Sequence, residues 1–140
     1  EVLLLHNALA FAGGCLVAMH PMGSADDHLF AIEDGNVDVL IYDPAKFGVR
    51  AKELKQRTNR LKAILSLGDS DMGEDLLANA NSKTAGPLTA PDIPADTITR
   101  LSYSGGTTGT PKAIPGSPRV GAGPPEATRT PAVLVAHRLS

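Results

Sequence analysis

Apolar and polar positions change period repeatedly along this chain. Residues 1–12 (EVLLLHNALAFA) are mostly apolar and stop at Gly13-Gly14, which predicts a helix closed by a C-terminal glycine signal. The run CLVAM at 15–19 is short and continuous, as in a buried strand. Pro21 and Gly23 predict a turn, and Ser24 is a good N-cap with Asp26 and Asp27 in the first helical turn. That helix is expected to run to about Asp34 and end at Gly35. Val37–Tyr42 (VDVLIY) predicts a second buried strand, and Asp43-Pro44 opens another helix with proline at its first position. Leu61–Leu67 predicts a third strand, Glu74–Asn81 a short helix, and residues 82–96 a connector. Ile98–Tyr103 alternates as a fourth strand and runs straight into a glycine-rich loop. The order α-β-α-β-α-β-α-β-loop predicts an α/β fold, a largely parallel sheet with flanking helices and right-handed crossovers.

Composition narrows the function classes. A chain of 140 residues with 42% hydrophobic and 20% charged residues fits one soluble globular domain. Thirteen basic against 15 acidic residues leave a net charge of -2, without the cationic bias that nucleic acid or an anionic membrane attracts. The most apolar stretch, 2–19, is broken by His6, Asn7 and Gly13-Gly14 and lacks a basic leader, so no transmembrane or signal segment is expected and the cytoplasm is the default location. Cys15 is the single cysteine, which excludes an internal disulfide and any CxxC motif; its apolar strand gives it a packing role. His6, His20, His28 and His137 have no paired ligand spacing and read as turn or surface histidines, so no metal-ligating residues are expected. The acidic stretch Asp69, Asp71, Glu74, Asp75 lacks the glycine and distal Glu of a calcium loop and reads as a solvated helix start. The cations Arg50, Lys52, Lys55, Arg57, Arg60 and Lys62 have no aromatic interleaving and read as a solvated face.

The chemistry lies in Leu101-Ser-Tyr-Ser-Gly-Gly-Thr-Thr-Gly-Thr-Pro-Lys112. Gly105, Gly106 and Gly109 let the backbone turn its N–H groups inward as an anion-binding concavity. Ser104, Thr107, Thr108 and Thr110 add hydroxyl donors, and Lys112 brings a point cation suited to phosphate. No GK[ST] follows at the spacing of a Walker A loop. Two readings stand on these residues alone: a nucleotide- or phosphate-binding loop at a sheet edge, and a plain Gly/Thr hairpin between two strands.

The segment Tyr103-Ser-Gly-Gly-Thr-Thr-Gly-Thr-Pro-Lys-Ala113 resembles the signature phosphate loop of the AMP-forming adenylating enzymes, usually Tyr-Thr-Ser-Gly-Thr-Thr-Gly-x-Pro-Lys-Gly. Gly105 replaces the common Ser and Ala113 the common Gly. Upstream, Ala12-Gly13-Gly14-Cys15-Leu16-Val17-Ala18-Met19-His20-Pro21 is similar to the family's Ala-Gly-Ala-x-x-x-Pro-Leu-Asn-Pro, with Ala18 where Pro is usual. Asp26-Asp27-His28, Ile32-Glu33-Asp34 and Val37–Ile41 resemble the helix and strand that follow there. The resemblance implies an acyl-CoA synthetase: ATP and magnesium activate a carboxylic acid, expected to be a fatty acid, to an acyl-adenylate, which then forms a thioester with coenzyme A. It assigns ATP-phosphate binding to Ser104, Gly105, Gly106, Thr107, Thr108, Gly109, Thr110 and Lys112.

The same resemblance implies a later Thr-Glu motif, a ribose-binding Asp and a C-terminal catalytic Lys, none of which follows Lys112. Residues 1–116 are therefore expected to be a partial AMP-binding domain, a fragment inactive alone with no catalytic residues of its own. Residues 117–140, rich in Pro, Gly, Ala and Arg, are expected to be a low-complexity tail, disordered or the product of a frameshift near residue 117; PAVLVA is the single strand-like run there. A genuine divergent linker is the competing account of that tail. The alternatives for function are an aryl-acid adenylating ligase fragment, which the SGGTTG variant permits, and a non-catalytic phosphate-binding module.

Overall fold

Short-range chemistry places most element ends where the sequence predicts them. Helix α1 (Val2–Phe11) leaves the helical path through Gly13 at φ 69°, and the Gly14 N–H reaches back to the Leu9 carbonyl at 2.9 Å. Strand β1 (Cys15–Ala18) follows directly. Helix α2 (Ala25–Asp34) opens with a capping box: the Ser24 hydroxyl accepts from the Asp27 N–H, and the Asp27 carboxylate accepts from the Ser24 N–H. Its left-handed exit falls on Asn36 at φ 50° rather than on Gly35, which stays right-handed. Strand β2 (Val37–Tyr42) has the predicted limits. Helix α3 (Pro44–Arg57) starts with Pro44 behind the Asp43 cap, whose carboxylate accepts from the Ala45 N–H at 3.0 Å. Strand β3 (Ala63–Ser66) leads through Gly68 to a two-residue strand β4 (Glu74–Asp75), and Asp75 then caps α4 (Leu76–Asn81). Strand β5 (Arg100–Ser104) precedes the glycine-rich loop, β6 (Lys112–Gly116) follows it, and β7 (Ala132–Ala136) is the last element.

The computed structural model describes residues 2–89, 92, 94, 96–104, 111–116 and 132–136. Its strands form one seven-stranded sheet in the order β4-β3-β2-β7-β1-β5-β6. Every pairing is parallel except β5–β6, which is an antiparallel hairpin. The parallel α/β architecture is thus as expected, while β4 and the hairpin partner β6 add strands to the predicted set.

The larger departure is β7. Ala132–Ala136 was expected to belong to a flexible tail, yet it lies between β1 and β2 and pairs in parallel with both, Leu134 standing opposite Val17 and Leu40. A run of AVLVA is what a strand flanked on both sides requires, and β6 returns the chain to the sheet edge at which β7 begins. The rest of the expected tail, 117–131 and 137–140, lies outside the described residues.

Helices cover both faces. Ala31 and Ile32 of α2 and Ala51 and Leu54 of α3 pack on Val17, Val37, Leu40 and Tyr42. On the other face Leu5 and Leu9 of α1, with Leu76 and Leu77 of α4, pack on Leu16, Ile41 and Leu67. Opposite β7, β2 carries a bulge between Val37 and Val39. The extra residue resets the alternation, so that Val37 and Leu40 share one face while Val39 and Ile41 share the other.

Two glycines separate backbone need from helix cost. Gly73 sits at φ 85°, and a Cβ there would stand 2.4 Å from the Ile64 carbonyl oxygen; Gly48, inside α3, has nothing within 4 Å. Gly73→Ala is expected to lower stability by more than about 2 kcal/mol. Gly48→Ala is expected to raise it by about 0.5–1 kcal/mol, both read from urea midpoints.

Candidate functional site

In an open parallel sheet, ligands gather outside the carboxyl ends of the strands, where the winding direction reverses. That reversal lies between β1 and β5. From β1 the chain goes to β2, β3 and β4 on one side, then returns through β5 and β6 on the other. Ala18 pairs with Ser102, so β1 and β5 end side by side. The glycine-rich loop leaves the sheet at this point, since Ser104 closes β5 and Lys112 opens β6 directly opposite it.

Of the residues expected to hold phosphate, the fold brings Ser104 and Lys112 together across the hairpin and leaves the Lys112 side chain exposed. Gly105, Gly106, Thr107, Thr108, Gly109 and Thr110 lie outside the described residues. A β5–β6 hairpin is present, and it opens at the carboxyl edge of the parallel strands.

The strand that delivers the loop is anchored through Tyr103. Strand alternation turns Leu101 and Tyr103 toward the α2 face. The Tyr103 ring meets Phe30 edge-on, with centroids 6.0 Å apart and planes at 85°, and its hydroxyl donates to Asp34 Oδ2 at 2.8 Å. Burial, then the hydrogen bond to the Asp34 carboxylate, push the Tyr103 hydroxyl well above its usual value. Sequence reading missed this contact, because 69 positions separate the partners and no local pattern joins them.

Beside the loop, the turn after β1 is held by a buried histidine. His28 is 3% exposed, which corrects the turn-or-surface expectation for it. Its Nε2 lies 2.9 Å from the His20 carbonyl oxygen and its Nδ1 3.1 Å from Arg50 Nη1. A guanidinium only donates, so Nδ1 accepts, and the proton sits on Nε2 and donates to His20. The same Arg50 Nη1 donates to the Gly23 carbonyl at 3.0 Å, so Arg50 departs from the solvated face expected of the cation run. A signal was present: His28, Ala31 and Ile32 are spaced as one helical stripe, and all are buried.

Other ion pairs among the described residues lie toward solvent. Lys46 meets Asp43, Arg57 meets Asp26 and Glu53, Lys52 meets Asp71, and Lys62 meets Asp38. The Cys15 thiol is buried and pushed up by that burial, which suits packing rather than reaction. Among the described residues no group of three or more His, Cys, Asp or Glu side chains could hold a metal ion, and no helix is long and apolar enough to cross a membrane.

Comparison with known proteins agrees with this geometry. Residues 1–119 match the family described as AMP-binding enzyme. The chain is 37% identical over 123 residues to the medium/long-chain-fatty-acid–CoA ligase FadD8 of Mycobacterium tuberculosis, covering 84% of this chain and 22% of that protein. Among solved structures, MbtA of Mycobacterium smegmatis in its apo form superposes with a TM-score of 0.68 at 24% identity, over 84% of this chain and 22% of that one. The amide bond synthetase McbA of Marinactinospora thermotolerans gives a TM-score of 0.59 at 23% identity, over 82% of this chain and 27% of that one. At these identities the two structures speak for the fold alone.

The turn lock has a pH signature. Burial first, and then the facing Arg50 charge and His20, hold His28 below its ordinary 6.5, against the opposing pull of the His20 carbonyl and Asp27. The unfolded chain thus takes up this proton more readily. The stability His28 contributes is complete above pH 6.5 and is lost as pH falls below it toward the folded-state value. Urea midpoints measured from pH 8 to 5 are expected to fall in that window, and His28→Gln, less stable throughout, is expected to lose that part of the slope.

Proposed function

Because the chain belongs to the AMP-binding enzyme family, we propose that its β5–β6 loop holds the β- and γ-phosphates of ATP in an adenylate-forming ligase. One observation carries this reading: the loop with its glycines and hydroxyls leaves the parallel sheet at the winding reversal, with Lys112 opposite Ser104 at its mouth. Backbone N–H groups and hydroxyls of residues 104–110 are the donors for phosphate oxygens, and Lys112 supplies the compensating charge.

The chemistry follows from charge. A carboxylate attacks the α-phosphorus, the bond to the bridging oxygen breaks, and pyrophosphate departs with the acyl-adenylate left behind. Attack of one anion on another is slow unless the phosphate charge is neutralised and the leaving group aligned, and the residues of this loop do both. Magnesium would add charge neutralisation when bound with ATP. The thiol of coenzyme A, losing its proton, then attacks the acyl carbonyl; the bond from the carbonyl carbon to the phosphate oxygen breaks and AMP departs.

The acid is a medium- or long-chain fatty acid on this reading, supported by the identity to FadD8. Gly105 in the loop favours a second reading, an aryl-acid ligase. The chain spans 22% of the length of the curated relative, and its share of the reaction is the phosphate end of the site.

Calorimetric titration with Mg-ATP tests the proposal. Binding in the micromolar range is expected, displaced by pyrophosphate and not by adenosine. Lys112→Ala is expected to weaken binding about tenfold with no change in melting temperature. Competition by adenosine but not pyrophosphate contradicts the phosphate assignment.

A further inference from the structure

We propose that Tyr103 and Asp34 are a positioning pair that anchors the end of β5, from which the phosphate loop continues. The inference rests on the phosphate-binding reading of that loop and goes beyond it, since neither residue belongs to the loop's donor set. Tyr103 is the last residue before Ser104, so the orientation of its backbone is the orientation of the loop's entry.

The contacts converge on one phenol. The ring is held edge-on by Phe30, and the hydroxyl is held by Asp34 at 2.8 Å. Together they tie the end of β5 to α2. Space for the phenol is kept by Gly35: a Cβ there would stand 3.1 Å from the Tyr103 hydroxyl and 2.6 Å from the Ala31 carbonyl, although the residue's φ of -73° needs no glycine.

Asp34 is badly placed for its own helix. It ends α2, whose last turn holds Glu33 and Asp34 and no basic residue, against the negative end of the helix dipole. A carboxylate in that position destabilises the helix, and the hydrogen bond from Tyr103 is what it gains in return. A purely structural role would be served as well by a neutral or basic residue there.

Amide hydrogen exchange across the full chain, paired with Mg-ATP titration, tests the pair. Tyr103→Phe removes one hydroxyl and keeps the ring. It is expected to speed exchange over residues 104–112 about fivefold, leave β1 and β2 unchanged, and weaken Mg-ATP binding about fivefold. Asp34→Ala is expected to match it. Asp34→Asn keeps an acceptor and relieves the dipole conflict, so its melting temperature should equal or exceed that of the wild type while loop exchange rises less than in Asp34→Ala. Unchanged loop exchange in Tyr103→Phe overturns the proposal, as does a rise spread evenly over the sheet. Faster loop exchange in a protein whose wild type ignores ATP would sink the ATP reading and leave the positioning pair standing.

Discussion

The site depends on one constraint, the parallel hydrogen-bonded ladder that both faces of the sheet bury. Parallel strands all deliver their following segments to one edge. With β1, β2, β3, β5 and β7 pointing the same way, the turn after β1 and the loop after β5 must meet at the carboxyl end. β1 continues through α2 to β2 while β5 turns back directly into β6, so the two connections leave this edge toward opposite ends of the strand order. The antiparallel β6 then closes the sheet and brings Lys112 back to that edge. An apolar frame thereby places Ser104 and Lys112 opposite each other at that edge, which neither could reach by local preference.

The frame is specified by polar contacts as well as by packing. Tyr42 is buried beneath α3, and its hydroxyl donates to the Met72 carbonyl at 2.6 Å, fixing the approach to β4. Ser66, fully buried at the end of β3, donates to the Gly68 carbonyl at 2.7 Å and so sets the turn that follows. Arg50 and His28 hold the β1 turn, and Tyr103 and Asp34 hold the β5 end. Leaving the buried Tyr42, Ser66 or His28 unpartnered would cost more than the bond itself supplies, so these contacts favour one arrangement of the carboxyl edge over its neighbours.

Much of this was legible in the sequence, for identifiable reasons. Ser24, Asp43-Pro44 and Gly13-Gly14 act within a few residues, so the helix starts and the end of α1 could be read directly, and VDVLIY marks β2 by its run of branched and aromatic residues. The glycine-rich segment before Lys112 was conspicuous because glycines, hydroxyls and a lysine lie in one stretch. Pairing was not legible: nothing in AVLVA states that it enters between β1 and β2, and two residues are too few for Glu74–Asp75 to show as a strand. Nor could a residue-by-residue reading turn Arg50 inward from its cationic neighbours, since the His28 it meets is 22 positions away.

The proposed role of the β5–β6 loop is to hold ATP by its phosphate end while a carboxylic acid reacts. The measurement that tests this most directly is phosphorus NMR of Mg-ATP titrated with the protein. The account predicts that the β- and γ-phosphate resonances broaden and shift first, that the α-phosphate follows less strongly, and that Lys112→Ala suppresses the effect. Resonances that stay unmoved at saturating protein, or an α-phosphate shift alone, would contradict it.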